Sequence, residues 1–283
     1  MPDPFLPRRP VIAVHPKMPE ALAEARAIAV FLKERGMDAP IGTLYDESLY
    51  RRVKSGNFDL LIALGGDGTM LRAAHLCAPY AVPILGINLG RLGFLIQVEQ
   101  KEWHKRLTQL LNGKAWIEKR MMLLVEHVRA GEIKSVSHAL NEATVSRGQV
   151  LRPVHLSVDV DGRLLTTYVA DGLIAATPTG STAYAMAAGG PILPPELRNI
   201  LIVPIAPHLS VDQAVILSEG SSVSIHIQGE NTVLSVDGQE AIGLAEDDHV
   251  NVRAGEFAAQ FVRFGNPGYF YRNLTAHMNR NSI

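Results

Sequence analysis

Three glycines around one carboxylate are the first feature of this sequence that could do chemistry. The segment reads GGDGT over residues 65–69 and directly follows the apolar run of residues 60–64. Glycines at a strand end let backbone N–H groups approach an anion, and a following helix adds free N–H groups and a positive dipole end. The segment is not a P-loop, because the Gly-Lys-Ser/Thr ending is missing. Three roles stay open for Asp67: a turn residue, a metal ligand or a catalytic base.

A second chemical motif is longer and lies over residues 171–191, which read DGLIAATPTGSTAYAMAAGGP. Its small side chains would let a flat ligand lie against the backbone, and Tyr184 could stack on a base or ring. The alternative is a helix N-cap at Thr179 or Ser181 before an alanine-rich buried helix. That alternative explains the hydroxyl groups, but it does not explain Asp171 or the Gly-Gly-Pro sequence at the end of the motif.

The elements that must position these motifs fall into two styles along the chain. Over roughly residues 10–105, short apolar strands alternate with helices that are expected to begin at Pro19 and Thr69, the first of them ending near Gly36. The predicted strands here are residues 11–14, 60–64 and 82–87. This alternation predicts an α/β N-terminal domain with a Rossmann-like parallel sheet, over residues 1–115.

From about Met121 the pattern changes to alternating β-type segments with turn signals. The clearest is a hairpin of residues 154–160 and 164–169 around the Asp161-Gly162 turn. Further strands are predicted at residues 222–227, 232–236 and 249–252. We therefore expect an all-β sandwich C-terminal domain over residues 116–265, and a tail over residues 266–283 that packs back on the N-terminal domain through its aromatic side chains.

Composition limits the function classes. The chain has 283 residues, 47% of them hydrophobic, with 27 basic and 28 acidic side chains. The balanced charge offers no basic face for nucleic acid, so we expect no nucleic-acid partner. A single cysteine, Cys77, excludes an internal disulfide and a Cys-rich zinc site. No apolar run is long enough for a membrane span and the N-terminus resembles no signal peptide, so we expect a cytoplasmic protein without membrane contact.

Taken together, the motifs resemble those of NAD kinases, and they occur in the same order. GGDGT alone is shared with diacylglycerol- and sphingosine-type lipid kinases and, as a variant, with phosphofructokinases. The TPTGSTAY block is much more particular to NAD kinases. The matching segments are GGDGT, NLGRLGF (88–94), RMML (120–123), the pair Asn141-Glu142, the block at 171–191, PIAPH (204–208) and VDGQ (236–239).

The resemblance implies an enzyme that moves the terminal phosphoryl group of ATP, or of polyphosphate, to the 2′-hydroxyl of the adenosine ribose of NAD. It implies that Asp67 is the general base. Gly66, Gly68 and Thr69 would bind the donor phosphates, and Arg72 could meet phosphate or form a salt bridge on its own helix. Mg²⁺ would arrive on the nucleotide, because magnesium keeps water and substrate oxygens as ligands and the sequence has no dense carboxylate cluster.

The resemblance also assigns the NAD side of the site. The Asn141 amide could read an adenine edge, since it both donates and accepts. Glu142 matches the position that reaches the ribose, and Asp171 matches one on the nicotinamide or ribose side. The positions that match the wall around the bound dinucleotide are Thr182, Ala183, Tyr184 and Ala187.

Two assignments are weaker than the others, and at two places the sequence departs from the family pattern. Phe94 matches a ring near the adenine pocket, although a phenylalanine in this context is commonly part of a core. Asp237 is a weaker candidate near the phosphates, because Asp-Gly between strands is first of all a hairpin turn. Ala170 stands where the family usually has glycine, and residues 211–214 depart from the usual Arg-Pro strand.

The sequence therefore predicts a two-domain NAD kinase with its dinucleotide site between the domains. A lipid kinase sharing GGDGT and a catalytically idle NAD(H) sensor are the alternatives. TPTGSTAY disfavours the lipid kinase, and the retained carboxylate of Asp67 disfavours the sensor. The resemblance further implies a homodimer or homotetramer.

Overall fold

The computed structural model describes residues 5–16, 18–90, 93–148, 152–208 and 212–280. The chain forms two compact units. The first contains Met1–Lys119 and Ala258–Ile283, and the second contains Arg120–Phe257. The sequence pattern predicted a second domain that extends to residue 265. The end of the last strand belongs instead to the first unit, because Phe261 pairs in parallel with Ile84 there.

The first unit is built on a parallel sheet with helices. Its elements, before the chain enters the second unit, are β1 (Pro10–Val14), α1 (Pro19–Lys33), β2 (Ile41–Thr43), α2 (Glu47–Lys54), β3 (Leu60–Gly65), α3 (Asp67–Cys77), β4 (Ile84–Asn88), β5 (Val98–Glu99) and α4 (Trp103–Leu111). The central strands run in the order β2-β1-β3-β4. All residues of β1, β3 and β4 are buried, as expected of parallel strands covered on both faces.

The second unit consists almost entirely of strands. The strands that lie in it, β6 and β17 only in part, are β6 (Ala115–Arg129), β7 (Glu132–Ala139), β8 (Glu142–Arg147), β9 (Val154–Val160), β10 (Arg163–Ala170), β11 (Gly172–Ala176), β12 (Asn199–Ile205), β13 (Val215–Ser218), β14 (Ser222–Ile227), β15 (Thr232–Val236), β16 (Ile242–Leu244) and β17 (His249–Phe264), with the short α5 (Tyr184–Ala187) between β11 and β12. One antiparallel sheet has the order β13-β12-β11-β8-β15-β16. The other brings together β10, β9, β14, β17, β6 and β7. Side chains from both sheets share one buried core, so the predicted sandwich is confirmed.

Several local predictions hold in detail. The hairpin of β9 and β10 turns at Asp161 and Gly162, whose φ values of 52° and 73° belong to the left-handed region that such turns need. Helix α1 begins at Pro19, and Gly36 with φ 78° follows its end. The N–H of Gly36 reaches the carbonyl of Lys33, which is the expected glycine stop.

The chain ends in α6 (Tyr269–Arg280), which belongs to the first unit. Tyr269 and Phe270 are buried, and the Tyr269 hydroxyl donates to Glu118. Across the described ranges, no helix combines the length and apolarity that crossing a bilayer requires.

Candidate active site

The GGDGT segment forms the junction between β3 and α3. Gly66 is the N-cap of α3, with extended φ −107°, and its carbonyl accepts the N–H groups of Thr69 and Met70. The helix therefore begins at Asp67, two residues before the predicted start at Thr69. Asp67 stands in the first turn, where the positive end of the helix dipole favours a carboxylate.

Two backbone donors from a distant loop hold the Asp67 carboxylate. Oδ2 accepts the N–H of Phe94 at 2.8 Å, and Oδ1 accepts the N–H of Leu95 at 3.3 Å. A Cβ on Gly93 would lie 2.0 Å from Oδ2, so only glycine lets the carboxylate rest against that backbone. A carboxylate offers about four lone-pair sites, so two donors leave it able to accept a further proton or hydroxyl.

The glycines of the segment have distinct surroundings. A Cβ on Gly65 would meet Thr69 Oγ1 at 2.2 Å, whereas a Cβ on Gly66 or Gly68 would meet nothing within 4 Å. Gly66 and Gly68 therefore present open backbone at the start of α3. Thr69 is buried against the strand end. The sequence did not indicate that the Thr69 side chain packs there.

Arg72 lies exposed on α3 and faces an aromatic ring. Its guanidinium carbon is 4.4 Å from the centroid of the Tyr45 ring, which itself meets His15 edge-on at 5.9 Å. The sequence offered phosphate or a salt bridge as the partner of Arg72. The ring contact was not foreseen, because Tyr45 lies in a loop that local pattern does not place.

In the second unit, Asp237 anchors the segment that carries the Asn141-Glu142 pair. Its carboxylate accepts the N–H groups of Leu140 at 2.7 Å, Asn141 at 2.8 Å and Glu142 at 2.9 Å. The Asp237 N–H returns to the Glu142 carbonyl at 2.9 Å. Asp237 does lie in the turn between β15 and β16, as the DG dipeptide indicated, but this anchoring role was not predicted from the sequence.

Glu142 is the most perturbed acid of this region. It is buried, and among the described residues its Oε2 has no hydrogen-bond partner. Burial, aided by the negative charge of Asp237, raises the pKa of Glu142 to about 7, while the N–H of Tyr184 acts in the opposite direction. A buried carboxyl with one unused oxygen is suited to a hydroxyl donor from a ligand.

Hydrogen bonds connect the TPTG segment to the residues that directly precede β8. The Thr177 hydroxyl donates to the Leu140 carbonyl at 2.5 Å, and the Thr177 N–H donates to the Asn141 carbonyl at 2.8 Å. A Cβ on Gly180 would lie 2.1 Å from that Asn141 carbonyl oxygen. Gly180 is thus required by close backbone approach, and the two motifs form one local unit.

The alternative interpretation of this motif, an N-capped and buried helix, is wrong. Thr179 makes no side-chain cap bond, and α5 is only four residues long. The Ser181 hydroxyl instead donates to the Pro178 carbonyl at 2.6 Å and accepts the N–H of Leu193 at 2.9 Å. The hydroxyl groups therefore shape a loop that leads to Tyr184.

The residues predicted to form the wall around the dinucleotide lie in this loop and in α5. Tyr184 is 45% exposed, so its ring is available to a ligand. Ala187 is exposed on α5, Ala183 is half-buried, and the Thr182 hydroxyl is occupied by the Thr179 carbonyl at 3.1 Å. Asn141, half-buried, lies directly before Glu142.

Asp171 is paired at the start of β11. Its Oδ2 lies 3.0 Å from Nη2 of Arg147, and both side chains are 29% exposed. The preceding Ala170 is buried at the end of β10 with a negative φ, so the methyl group that departs from the family pattern fits without strain. Of the departure at residues 211–214, residue 211 lies outside the described residues, as do residues 91 and 92 of the NLGRLGF motif.

No three His, Cys, Asp or Glu side chains converge on a possible metal site within the described ranges. Mg²⁺ keeps several waters and binds through one or two carboxylates plus substrate phosphates. A single half-buried carboxylate, Asp67, beside open backbone fits an ion that arrives with a nucleotide.

Comparison with known proteins decides the family. The family model described as the ATP-NAD kinase N-terminal domain matches residues 22–115, and that of the ATP-NAD kinase C-terminal domain matches residues 140–264. The chain belongs to the NAD kinase family. The NAD kinase of Chloroflexus aurantiacus is 38% identical over 273 residues, which cover 96% of this chain and 99% of that protein.

Solved structures agree with this assignment. Yeast NADH kinase in complex with NADH has a TM-score of 0.84 and 26% identity, covering 98% of this chain and 89% of that one. An NAD kinase from Archaeoglobus fulgidus in complex with ATP has a TM-score of 0.75 and 26% identity, covering 95% and 97%. The resemblance, the fold class and the enzyme class inferred from the sequence are thereby confirmed for this family member.

Proposed function

We propose that this protein transfers the terminal phosphoryl group of ATP to the 2′-hydroxyl of the adenosine ribose of NAD, giving NADP. The observation that carries the proposal is the Asp67 carboxylate. It is fixed at the N-terminus of α3 by two backbone N–H groups and keeps free lone pairs. Family membership and the similar structures, which hold NADH and ATP, support the pairing of donor and acceptor.

Asp67 is the base in this proposal. Phosphoryl transfer passes through a largely dissociative transition state, so the acceptor proton leaves late and a carboxylate is basic enough to take it. The hydrogen bonds from the N–H groups of Phe94 and Leu95 orient the carboxylate, which lowers the entropic cost of reaching a reactive geometry. Gly66 and Gly68 would approach the donor phosphates with their open backbone, aided by the dipole of α3. Thr69 and Arg72 complete the proposed phosphate side.

NAD is held by the segments around β8 and α5. The Asn141 amide would read the adenine edge, and the unused Oε2 of Glu142 would accept a ribose hydroxyl. The exposed ring of Tyr184 would stack on a base. Thr182, Ala183 and Ala187 would line the dinucleotide, with Phe94 and Asp171 as outer contacts.

Mg²⁺ is proposed to accompany ATP, where it neutralises charge on the phosphate oxygens. We propose further that the protein acts in the cytoplasm as a homodimer or homotetramer. Exposed apolar side chains on β7 and β10, among them Ile133, Val136 and Leu164, offer surface for such contacts.

A donor and acceptor matrix tests the activity. Purified protein with Mg²⁺ is given ATP, other nucleoside triphosphates or polyphosphate, each against NAD, NADH and diacylglycerol. NADP formation from ATP and NAD is expected. Phosphorylation of diacylglycerol without NADP formation would favour the lipid kinase, and tight NAD binding without turnover with any donor would favour the sensor.

A further inference from the structure

A buried arginine behind the active-site loop has no role in the site as described so far. Arg263, near the end of β17, is only 2% exposed. Burying a guanidinium is costly unless its donors are paired, so an arginine kept there needs a reason beyond filling space.

The partners of Arg263 lead toward the proposed base. Its Nε donates to Oε2 of Glu118 at 2.7 Å, and its Nη1 donates to the carbonyl of Leu95 at 2.9 Å. The N–H of the same Leu95 donates to Oδ1 of Asp67. The Leu95 carbonyl therefore accepts a hydrogen bond from Arg263, while the Leu95 N–H donates one to the Asp67 carboxylate.

Neighbouring contacts fix this arginine in position. The guanidinium carbon lies 4.6 Å from the ring centroid of Tyr269 and 5.1 Å from that of Phe261. The Tyr269 hydroxyl also donates to Glu118. Two residues further on, the Gln97 amide exchanges hydrogen bonds of 2.9 Å with the backbone of Phe264. Residues 95–97 are thus tied at two points to the end of β17.

We propose that Arg263, oriented by Glu118, is a positioning residue for phosphoryl transfer. It fixes the backbone of Leu95 through the carbonyl, and thereby the N–H of Leu95 that directs the Asp67 carboxylate. Lysine cannot reproduce this, because its single ammonium group lacks the rigid fork that reaches Glu118 and the Leu95 carbonyl together. This inference rests on the proposed role of Asp67 as the base.

The test is a double-mutant cycle between Arg263→Lys and Asp67→Asn, with initial rates of NADP formation from ATP and NAD. Displacing a reacting group by about 1 Å can cost about 10²-fold, so we expect Arg263→Lys to lower kcat by at least about tenfold. The KM for NAD should stay unchanged. In the Asp67→Asn background the same substitution should have no further effect on kcat, because the group through which it acts is gone.

Two further variants separate positioning from general stability. Arg253→Lys makes the same change on an exposed part of β17 and should leave kcat and KM unchanged. In Arg263→Met/Glu118→Met the buried pair becomes apolar, a replacement that often keeps stability. This double variant should unfold at a temperature near that of the wild type and yet keep the reduced kcat, since the Leu95 carbonyl has lost its donor.

The outcomes are distinguishable. Wild-type kcat in Arg263→Lys, an equal loss in the presence and absence of the Asp67 carboxylate, or recovery of kcat in the Met/Met variant would each overturn the positioning role. If Arg263→Lys does not fold, the Met/Met variant alone decides by its kcat. Failure of the base assignment has a different signature, namely an Asp67→Asn enzyme that turns over at the wild-type rate.

Discussion

The contact between Gly93 and Asp67 gives the most direct structural prediction, for the variant Gly93→Ala. A Cβ at this position would lie 2.0 Å from Oδ2 and 2.2 Å from Cγ of Asp67. The φ of Gly93 is not in the left-handed region, so the backbone itself accepts alanine. The strain therefore falls on the carboxylate, which must move by about 1.4 Å to reach an ordinary van der Waals separation.

A displacement of this size sets the expected magnitude. Misplacing a reacting group by about 1 Å can cost about 10²-fold in rate, which corresponds to about 2.7 kcal/mol in the activation barrier. The carboxylate would also give up its hydrogen bonds to Phe94 and Leu95. We expect kcat to fall by about 10²-fold while the Kd for NAD changes much less, because the proposed main NAD contacts, Asn141 and Glu142, are untouched.

The assay is the initial rate of NADP formation at saturating ATP and NAD, with thermal unfolding as the check on folding. Gly90→Ala is the matched control, because it lies in the same loop and a Cβ there meets nothing within 4 Å. A Gly93→Ala enzyme whose kcat stays within about threefold of the wild type would rule out the proposed effect of displacing the Asp67 carboxylate. So would an equal loss in Gly90→Ala.

Three further predictions follow from the second unit. The pKa of Glu142 is raised to about 7 from 4.5, so between these pH values the folded protein holds a proton on Glu142 that the unfolded chain has released. The free energy of unfolding therefore falls as pH rises through this window, by an amount on the order of 3 kcal/mol. Glu142→Gln should flatten this pH dependence when urea unfolding is compared at about pH 5 and about pH 8. An unchanged pH dependence in Glu142→Gln would contradict a raised pKa of Glu142 in the folded protein. Asp237→Asn should lower the free energy of unfolding by about 2–4 kcal/mol and raise the KM for NAD, because one amide oxygen cannot accept from all three N–H donors. Wild-type stability of this variant in chemical denaturation would contradict the anchoring role. Tyr184→Ala should weaken NAD binding by about 1–3 kcal/mol in calorimetry with little effect on melting, because the ring is exposed, whereas unchanged affinity would remove its stacking role.

Local pattern was sufficient for much of this fold. The apolar runs in β3 and β4 predicted buried parallel strands, and Asp161-Gly162 predicted the hairpin turn. The helices α2 and α4 were not predicted. Each is nine residues or shorter, and α2 has mostly polar side chains, so neither carries a long apolar period.

The sequence and the resemblance proposed residues for the site, but they could not predict the contacts of those residues. Asp67 and Phe94 are 27 positions apart, and Asp237 and Asn141 are 96 apart, so no local period links them. Gly93 and Gly180 illustrate the same limit, because a glycine required by close approach looks in the sequence like any turn glycine. The resemblance supplied Asn141 and Glu142 as ligands, whereas only the fold shows that Asp237 holds them.

Asp67→Asn decides whether the Asp67 carboxylate takes the proton from the ribose hydroxyl. Turnover with ATP, Mg²⁺ and NAD is measured beside the Kd for NAD of the same preparation. We predict a folded protein with unchanged NAD affinity and a kcat lowered by at least about 10²-fold, the usual size of a general-base effect. A folded Asp67→Asn enzyme with near-wild-type kcat would show that Asp67 is not the base.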